Sequence, residues 1–130
     1  KTKIGSRGLS SRCETVCGDV FDGIPAGGDA YILKHIIHDW NDEKALAILK
    51  NCRKALDGKP GGRLLVVDAI ITPGNAPHPA KFIDIEMLVF CGSKERTADE
   101  FSELFAASGF QLARIAPTPS LVSVIEAVPV

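Results

Sequence analysis

The sequence lacks the features that would direct it to a membrane or to nucleic acid. No run approaches 18 consecutive apolar residues, so the length needed for a transmembrane helix is not reached. The 15 basic and 16 acidic side chains leave a net charge of −1, without a basic stripe that would attract nucleic acid or an anionic lipid surface. At 130 residues the chain is long enough for one domain with a core. We therefore expect partners that are small molecules or proteins, with no nucleic acid and no membrane among them.

Cysteine is also scarce, and the chain has no obvious export signal. The four cysteines, Cys13, Cys17, Cys52 and Cys91, are too few for a disulfide scaffold and are not spaced like a zinc site. Residues 1–11 lack the apolar segment of a secretory leader. We expect reduced, mostly buried thiols in a cytoplasmic protein.

Short β-rich runs alternate with helical stretches, which is typical of an α/β domain. The run Asp29–Leu33 is apolar enough to be a parallel strand covered on both faces. A second run, Arg63–Ile71, reads as a central strand with Asp68 as its single charge near the carboxyl end. Further strands are predicted at Glu14–Val20 and, as an antiparallel pair, at Phe110–Ile115 and Leu121–Val128.

Apolar side chains at three- and four-residue spacing predict three longer helices. The first begins after an Asn41 or Asp39 cap and ends before Gly58. The second covers Lys81–Phe90, and the third begins at the Thr97–Glu100 capping box. The predicted apolar faces are Ala45, Ile48, Leu49, Cys52 and Leu56 in the first helix, Phe82, Ile83, Met87 and Leu88 in the second, and Phe101, Leu104 and Phe105 in the third.

The densest group of reactive side chains follows the Asp29–Leu33 run. Ligands bind at the carboxyl ends of parallel strands, so His35, His38 and Asp39 stand where chemistry is expected. An imidazole titrates near neutrality, and as a general base it contributes roughly 10²- to 10⁴-fold in rate. The alternative is that both histidines only pack against or cap the following helix. A metal site made by His35 and His38 lacks a clear third ligand in the sequence.

Three carboxylates are further candidates. Asp68 lies in an otherwise apolar strand, and it either sits at the mouth of the sheet or pairs with His38. Asp19 ends the first predicted strand and can accept hydrogen bonds from a ligand, although Gly-Asp is also common in turns. Glu95 precedes a helix, and its alternative is a solvated loop with a structural Glu–Arg contact.

Five segments, in this order and spacing, resemble the C-terminal part of S-adenosylmethionine-dependent O-methyltransferases. The similarity covers Arg12–Ala127 and extends to the plant caffeate and flavonoid enzymes and to bacterial enzymes of polyketide and other secondary metabolism. The segments are GDVF (Gly18–Phe21), DAYILKHIIHDW (Asp29–Trp40), GGRLLVVDAIITP (Gly61–Pro73), DIEML (Asp84–Leu88) and GSKERT (Gly92–Thr97).

The resemblance implies a partial Rossmann-like methyltransferase fold that lacks the first strands. Its sheet would be mostly parallel, with an antiparallel C-terminal strand. Residues 1–130 would then be the C-terminal portion of the catalytic domain, and the initial Lys1 agrees with this. The glycine-rich cofactor loop and an N-terminal dimerisation domain would lie upstream. We expect a homodimeric full-length protein, and an isolated chain that is inactive and binds the cofactor weakly or not at all.

The resemblance also implies a role for individual residues. His38 would be the general base that removes the proton from the acceptor hydroxyl, with Asp68, where the family usually has glutamate, and Glu95 orienting its ring. The reaction would transfer the methyl group of S-adenosyl-L-methionine to a hydroxyl of an aromatic or polyketide-type small molecule, without a metal. The cofactor contacts would be Asp19, Val20 and Lys34, and the acceptor contacts Trp40, Met87 and Cys91.

Two other functions stay open at this point. A family member can keep the cofactor site and perform hydroxylation or decarboxylation, but a histidine with two flanking carboxylates favours methylation. The other is a non-catalytic binding or regulatory remnant, which the missing glycine-rich loop suggests.

Overall fold

The computed structural model describes residues 3–130, which form an α/β domain around a mixed four-stranded sheet. The order in the sheet is β1-β2-β4-β3, with β1 and β2 parallel and β4 antiparallel to both of its neighbours. The predicted fold class is confirmed. The elements are α1 (Lys3–Ser6), β1 (Ala30–Lys34), a 3₁₀ turn (Ile37–Asp39), α2 (Asp42–Ala55), β2 (Arg63–Ala69), α3 (Pro79–Cys91), α4 (Ala98–Ala107), β3 (Phe110–Pro117) and β4 (Val122–Pro129).

The core forms where α2 and α4 cover one face of the sheet. The Asn41 side chain caps α2 by accepting the Lys44 N–H, and Thr97 and Glu100 form the predicted capping box of α4. The apolar faces predicted for both helices are buried, and strands β2, β3 and β4 contribute the opposing side chains. The core residues are Ile37, Ala45, Ile48, Leu49, Cys52, Leu56, Leu64, Val66, Phe101, Leu104, Phe105, Phe110, Ile125 and Ala127.

The strand predicted at Glu14–Val20 does not form, and this prediction was wrong. The stretch is irregular, Val16 is 64% exposed, and the chain then turns at Asp19, which accepts the Phe21 N–H. A strand needs a hydrogen-bonded neighbour along its length, and the propensity of two valines does not replace one. Within residues 3–130 the parallel part of the sheet is therefore a single pair, β1 with β2.

Two predictions of burial were also wrong. In β1, Ile32 is 64% exposed because the core helices cover one face of the sheet, so this strand is not buried on both faces. In α3, which forms close to the predicted bounds, Phe82 is 71% and Leu88 65% exposed, and Ala80 is the one buried residue. An apolar helix side becomes buried only where another element packs on it, and local spacing does not supply that element.

The cysteines depart from the prediction in burial. None of the four is joined to another in the described residues. Cys52 alone is buried, in the core, whereas Cys17 and Cys91 are exposed on segments outside it. Among residues 3–130, no helix is both long and apolar enough to cross a lipid bilayer.

Candidate active site

The candidate site forms where β1 ends and the chain turns sharply. His35 adopts a left-handed backbone conformation with φ of 53°, which is uncommon for a residue other than glycine. Its N–H lies 3.2 Å from the Val67 carbonyl oxygen and 3.0 Å from Asp68 Oδ1, so β2 holds the turn in place. The 3₁₀ turn then brings His38 back beside His35, with 5.2 Å between the ring centroids.

The ring of His38 is hydrogen-bonded directly to Glu95. Its Nδ1 lies 2.7 Å from Glu95 Oε1, and both side chains are largely shielded from solvent, with 13% and 1% exposed. A carboxylate oxygen only accepts, so Nδ1–H donates, and in the neutral ring the lone pair is on Nε2. The hydrogen bond to Glu95 raises the pKa of His38 above its ordinary value, while burial opposes that shift.

A buried arginine, Arg96, holds the His38 turn and the Glu95 segment together. Its guanidinium donates twice to Asp42 Oδ1, at 3.1 and 2.8 Å, and also to the carbonyl oxygens of Ile37 (3.1 Å) and Trp40 (2.9 Å). Sequence reasoning missed this role. The solvated-loop alternative for Glu95 was wrong, because Glu95 is 2% exposed and Arg96 is bound to Asp42.

Asp68 is fully buried at the end of β2, next to both histidines. Its Oδ1 accepts the His35 N–H and lies 4.0 Å from His35 Nδ1, and its Oδ2 has no hydrogen-bond partner among the described residues. Burial raises the pKa of Asp68 to about 7, and the nearby charge of His38 opposes this shift. Glu95 therefore makes the direct bond to His38, and Asp68 acts on that ring through its charge.

Replacing Asp68 with asparagine is expected to flatten the pH dependence of stability. The pKa of about 7 in the folded chain exceeds the ordinary value of 3.8, so the folded state keeps a proton that the unfolded state has released. Raising the pH from 5 to 8 therefore lowers the free energy of unfolding by on the order of 2 kcal/mol. The raised pKa of His38 acts in the same direction, so the Asp68→Asn variant retains part of the slope.

Urea denaturation at pH 5 and pH 8 measures this difference. The matched control is Asp99→Asn, which changes an exposed carboxylate on α4 and should leave the wild-type slope intact. Equal slopes in the two variants would contradict the assigned state of Asp68.

A cavity of about 340 Å³ opens beside His38. Its lining combines charged and polar side chains with apolar ones, which suits a ligand with an aromatic body and a reactive hydroxyl. The turn between β3 and β4 supplies part of the wall, a contribution for which the sequence carried no signal. The lining residues are Lys34, His35, His38, Ala69, Ile83, Glu95, Ser120, Leu121 and Val122.

The predicted cofactor contacts fall into two places. Lys34 lines the cavity beside His38, whereas Asp19 and Val20 line a separate cavity of about 450 Å³ formed by residues 16–25. Asn51 on α2, which sequence reasoning did not select, fixes the second place by donating its side-chain N–H to the Val20 carbonyl oxygen at 2.8 Å.

None of the three predicted acceptor contacts lines the cavity beside His38. Trp40 packs edge-on against Phe21, with 5.0 Å between ring centroids. Met87 is partly buried and Cys91 exposed on α3, and the helix reaches the cavity through Ile83 instead.

The family profile described as "O-methyltransferase domain" matches residues 1–111. The chain belongs to this family. Among curated O-methyltransferases, it is 47% identical over 128 residues to phenazine O-methyltransferase PhzM of Lysobacter antibioticus, covering 98% of the chain and 37% of that protein. It is 41% identical to mitomycin biosynthesis 6-O-methyltransferase of Streptomyces lavendulae, covering 88% of the chain and 32% of that protein.

Solved structures of O-methyltransferases share the fold. The crystal structure of LaPhzM matches with a TM-score of 0.90 at 47% identity, covering 98% of this chain and 38% of that one. NcsB1 of neocarzinostatin biosynthesis, solved with S-adenosylmethionine and 2-hydroxy-5-methyl naphthoic acid, matches with a TM-score of 0.86 at 36% identity, covering 98% and 37%. One relative methylates nitrogen by name, the 8-amino-8-demethylriboflavin N,N-dimethyltransferase of Streptomyces davaonensis, 36% identical and covering 95% of this chain and 35% of that protein. The chain spans about a third of the length of the relatives it matches.

Proposed function

We propose that this protein transfers the methyl group of S-adenosylmethionine to a hydroxyl of an aromatic or polyketide-type small molecule, with His38 as the general base. Family membership supports the reaction class, and the relatives named for phenazine and mitomycin chemistry support the acceptor class. The observation that carries the role of His38 is its 2.7 Å contact with Glu95 beside an open cavity.

The proposed step begins with the acceptor hydroxyl. A phenol has a pKa of about 10, so at neutral pH it is mostly protonated and a nearby base accelerates its reaction. Nε2 of His38 takes the hydroxyl proton as the oxygen becomes the nucleophile, and the ring becomes an imidazolium. Glu95 stabilises that cation through Nδ1–H, and the charges of Asp68 and Asp39 act in the same sense.

The residues present fit parts of S-adenosylmethionine. When bound, its sulfonium supplies an activated methyl group. Asp19 is exposed at its cavity, where a carboxylate can accept hydrogen bonds from amino or hydroxyl groups, and Val20 adds an apolar wall. Lys34 would contact the cofactor from the His38 side. Holding donor and acceptor in line can contribute several kcal/mol to lowering the barrier.

We also propose that residues 1–130 are the C-terminal portion of a catalytic domain in a homodimeric enzyme. The matches that cover 98% of this chain cover only 37 and 38% of the relatives, which supports a longer functional unit. The assay should therefore include the chain alone and the chain with any segment encoded upstream of Lys1.

The test is incubation with isotope-labelled S-adenosylmethionine and a panel of hydroxylated phenazines and naphthoic acids, with products identified by mass spectrometry. A labelled methyl group on oxygen is expected. Hydroxylated or decarboxylated products without label would instead support the alternative in which the cofactor site serves hydroxylation or decarboxylation. Absence of both product and cofactor binding in the chain assayed with its upstream segment would support a non-catalytic protein.

Nitrogen is a second acceptor that one finding favours. The similarity to an N,N-dimethyltransferase extends over 95% of the chain, so family membership alone does not select oxygen. The panel should pair each hydroxyl acceptor with its amino analogue. An un-ionised hydroxyl needs a base to remove its proton, whereas a neutral amine can react through its free lone pair. The His38–Glu95 pair therefore favours oxygen as the acceptor.

A further inference from the structure

Three side chains of types that bind transition metals meet at the candidate site. His35, His38 and Asp68 each offer one ligand atom, and these atoms all lie within 4.8 Å of one another. We propose that the three residues bind a divalent transition-metal ion, with Zn²⁺ as the reference, and that the ion inhibits methyl transfer by occupying His38. The inhibition rests on the proposed function, whereas the binding does not. The third ligand that the sequence did not reveal is Asp68, which lies 33 residues beyond His35.

The distances are within reach of a zinc site. Zinc binds imidazole nitrogen and carboxylate oxygen at about 2.0–2.2 Å with tetrahedral geometry, which places ligand atoms about 3.3 Å apart. His35 Nδ1 and Asp68 Oδ1 are already 4.0 Å apart. The His35 side chain is 49% exposed, so its ring can rotate to close the remaining gap. His38 and Asp68 are more enclosed and supply the fixed side of the site.

The state of Asp68 independently points to a bound cation. Its side chain is fully buried, yet Oδ2 has no hydrogen-bond partner among the described residues, where Oε2 of Glu95 is the other buried side-chain atom of this kind. A buried carboxylate oxygen without a partner is costly, and a coordinated cation removes that cost. The cavity beside the cluster leaves room for the water or other ligand that completes a three-residue site.

The surroundings of His38 also suit a metal ligand. Metal-bound histidines usually donate their other ring N–H to a carboxylate, which fixes the tautomer and the ring orientation. Glu95 already accepts the Nδ1–H of His38, which leaves Nε2 as the ring nitrogen with a lone pair for an ion. Asp39 Oδ1 lies 3.5 Å from Nε2 and adds negative charge, while Lys34 lines the same cavity and opposes it.

Cobalt and zinc titrations test the binding on the 130-residue chain itself. Co²⁺ reports its ligands through visible absorption, and Zn²⁺ should displace it. His35→Asn removes one ligand and keeps a residue that tolerates the left-handed backbone. The matched control is His78→Asn, since His78 lies outside the cluster and asparagine is also a good helix cap.

His35→Asn is expected to weaken Zn²⁺ binding at least about tenfold, and His78→Asn to leave it unchanged. Equal weakening in both variants, or no binding by the wild type at millimolar Zn²⁺, would overturn the site. Exposed cysteines elsewhere in the chain are competing ligands. An intense near-ultraviolet band in the Co²⁺ complex would indicate that thiolates bind the ion, and it would also overturn the site.

The inhibition is tested in the methyl-transfer assay. Zn²⁺ should lower the rate, a chelator should restore it, and His35→Asn should raise the inhibitory concentration at least about tenfold relative to its own uninhibited rate. Inhibition of His35→Asn at the wild-type concentration would overturn the inhibitory role. If the chain assayed with its upstream segment methylates no acceptor but Zn²⁺ binds with the expected variant pattern, the proposed function fails and the metal site stands.

Discussion

Replacing His38 with glutamine is expected to lower kcat for methyl transfer about 10²- to 10⁴-fold. Glutamine keeps a polar side chain beside Glu95 but cannot take a proton from the acceptor. The His38 side chain is 13% exposed, and its Nδ1 is hydrogen-bonded to Glu95. No other histidine among the described residues is both enclosed and hydrogen-bonded to a carboxylate. The control is His78→Gln at the start of α3, which should retain the wild-type rate.

The dependence on the acceptor separates a base from a merely structural histidine. An acceptor whose hydroxyl is already ionised at the assay pH has no proton to lose, so His38→Gln should cost it far less. Naphthols with electron-withdrawing substituents provide such acceptors. A loss of the same size for ionised and un-ionised acceptors would show that His38 only shapes the cavity, and retained turnover in His38→Gln would remove its role altogether.

Replacing Arg96 with methionine is expected to lower the free energy of unfolding by on the order of 3 kcal/mol, because it removes several hydrogen bonds of a buried charged group. The side chain is 1% exposed and binds Asp42 together with the carbonyl oxygens of Ile37 and Trp40. Methionine fills much of the volume but makes none of these hydrogen bonds, so the Trp40 carbonyl loses this partner and the Ile37 carbonyl keeps only the Trp40 N–H. A domain stability of about 5–15 kcal/mol makes this a large fraction of the total.

Urea denaturation of Arg96→Met and Arg114→Met measures the effect against a matched control. Arg114 also pairs with a carboxylate, Glu126, but is 74% exposed, so its loss should cost less than about 1 kcal/mol. If Arg96→Met does not fold, Arg96→Lys should fold with an intermediate loss, because lysine keeps the charge but not the planar fork. Similar losses for Arg96→Met and Arg114→Met would contradict the role of Arg96.

The helices that local sequence could specify were predicted well. In α2 and α4 the cap, the apolar spacing and the stop lie within a few residues of one another, so short-range pattern contains the whole signal. The same reasoning placed α3 but not its exposure, because burial depends on a neighbouring element. The missing strand near Val16 has the same cause, since strand formation depends on a hydrogen-bonded neighbour.

The candidate site was predicted as a set of residues but not as a geometry. His38 and Asp68 meet because β1 and β2 are parallel and share a carboxyl end, and Glu95 joins them where Arg96 bridges to Ile70 just beyond β2. Glu95 bonds to His38 across 57 residues, next to an Arg96 that binds the Ile37 carbonyl, and no sequence pattern expresses these contacts. Residues 120–122 form part of the cavity wall beside His38, and their position likewise depends on where the turn between β3 and β4 lies.

The most direct test of the account is the pH–rate profile of methyl transfer for the wild type and Glu95→Gln. Since His38 must be neutral to act, the rate should rise with pH through a pKa above the ordinary 6.5. Removing the hydrogen bond that contributes most to this shift should move the midpoint to lower pH and reduce the limiting rate. Glu103→Gln, an exposed glutamate on α4, should do neither. A midpoint that stays in place in Glu95→Gln would contradict the assignment of His38 as the base oriented by Glu95.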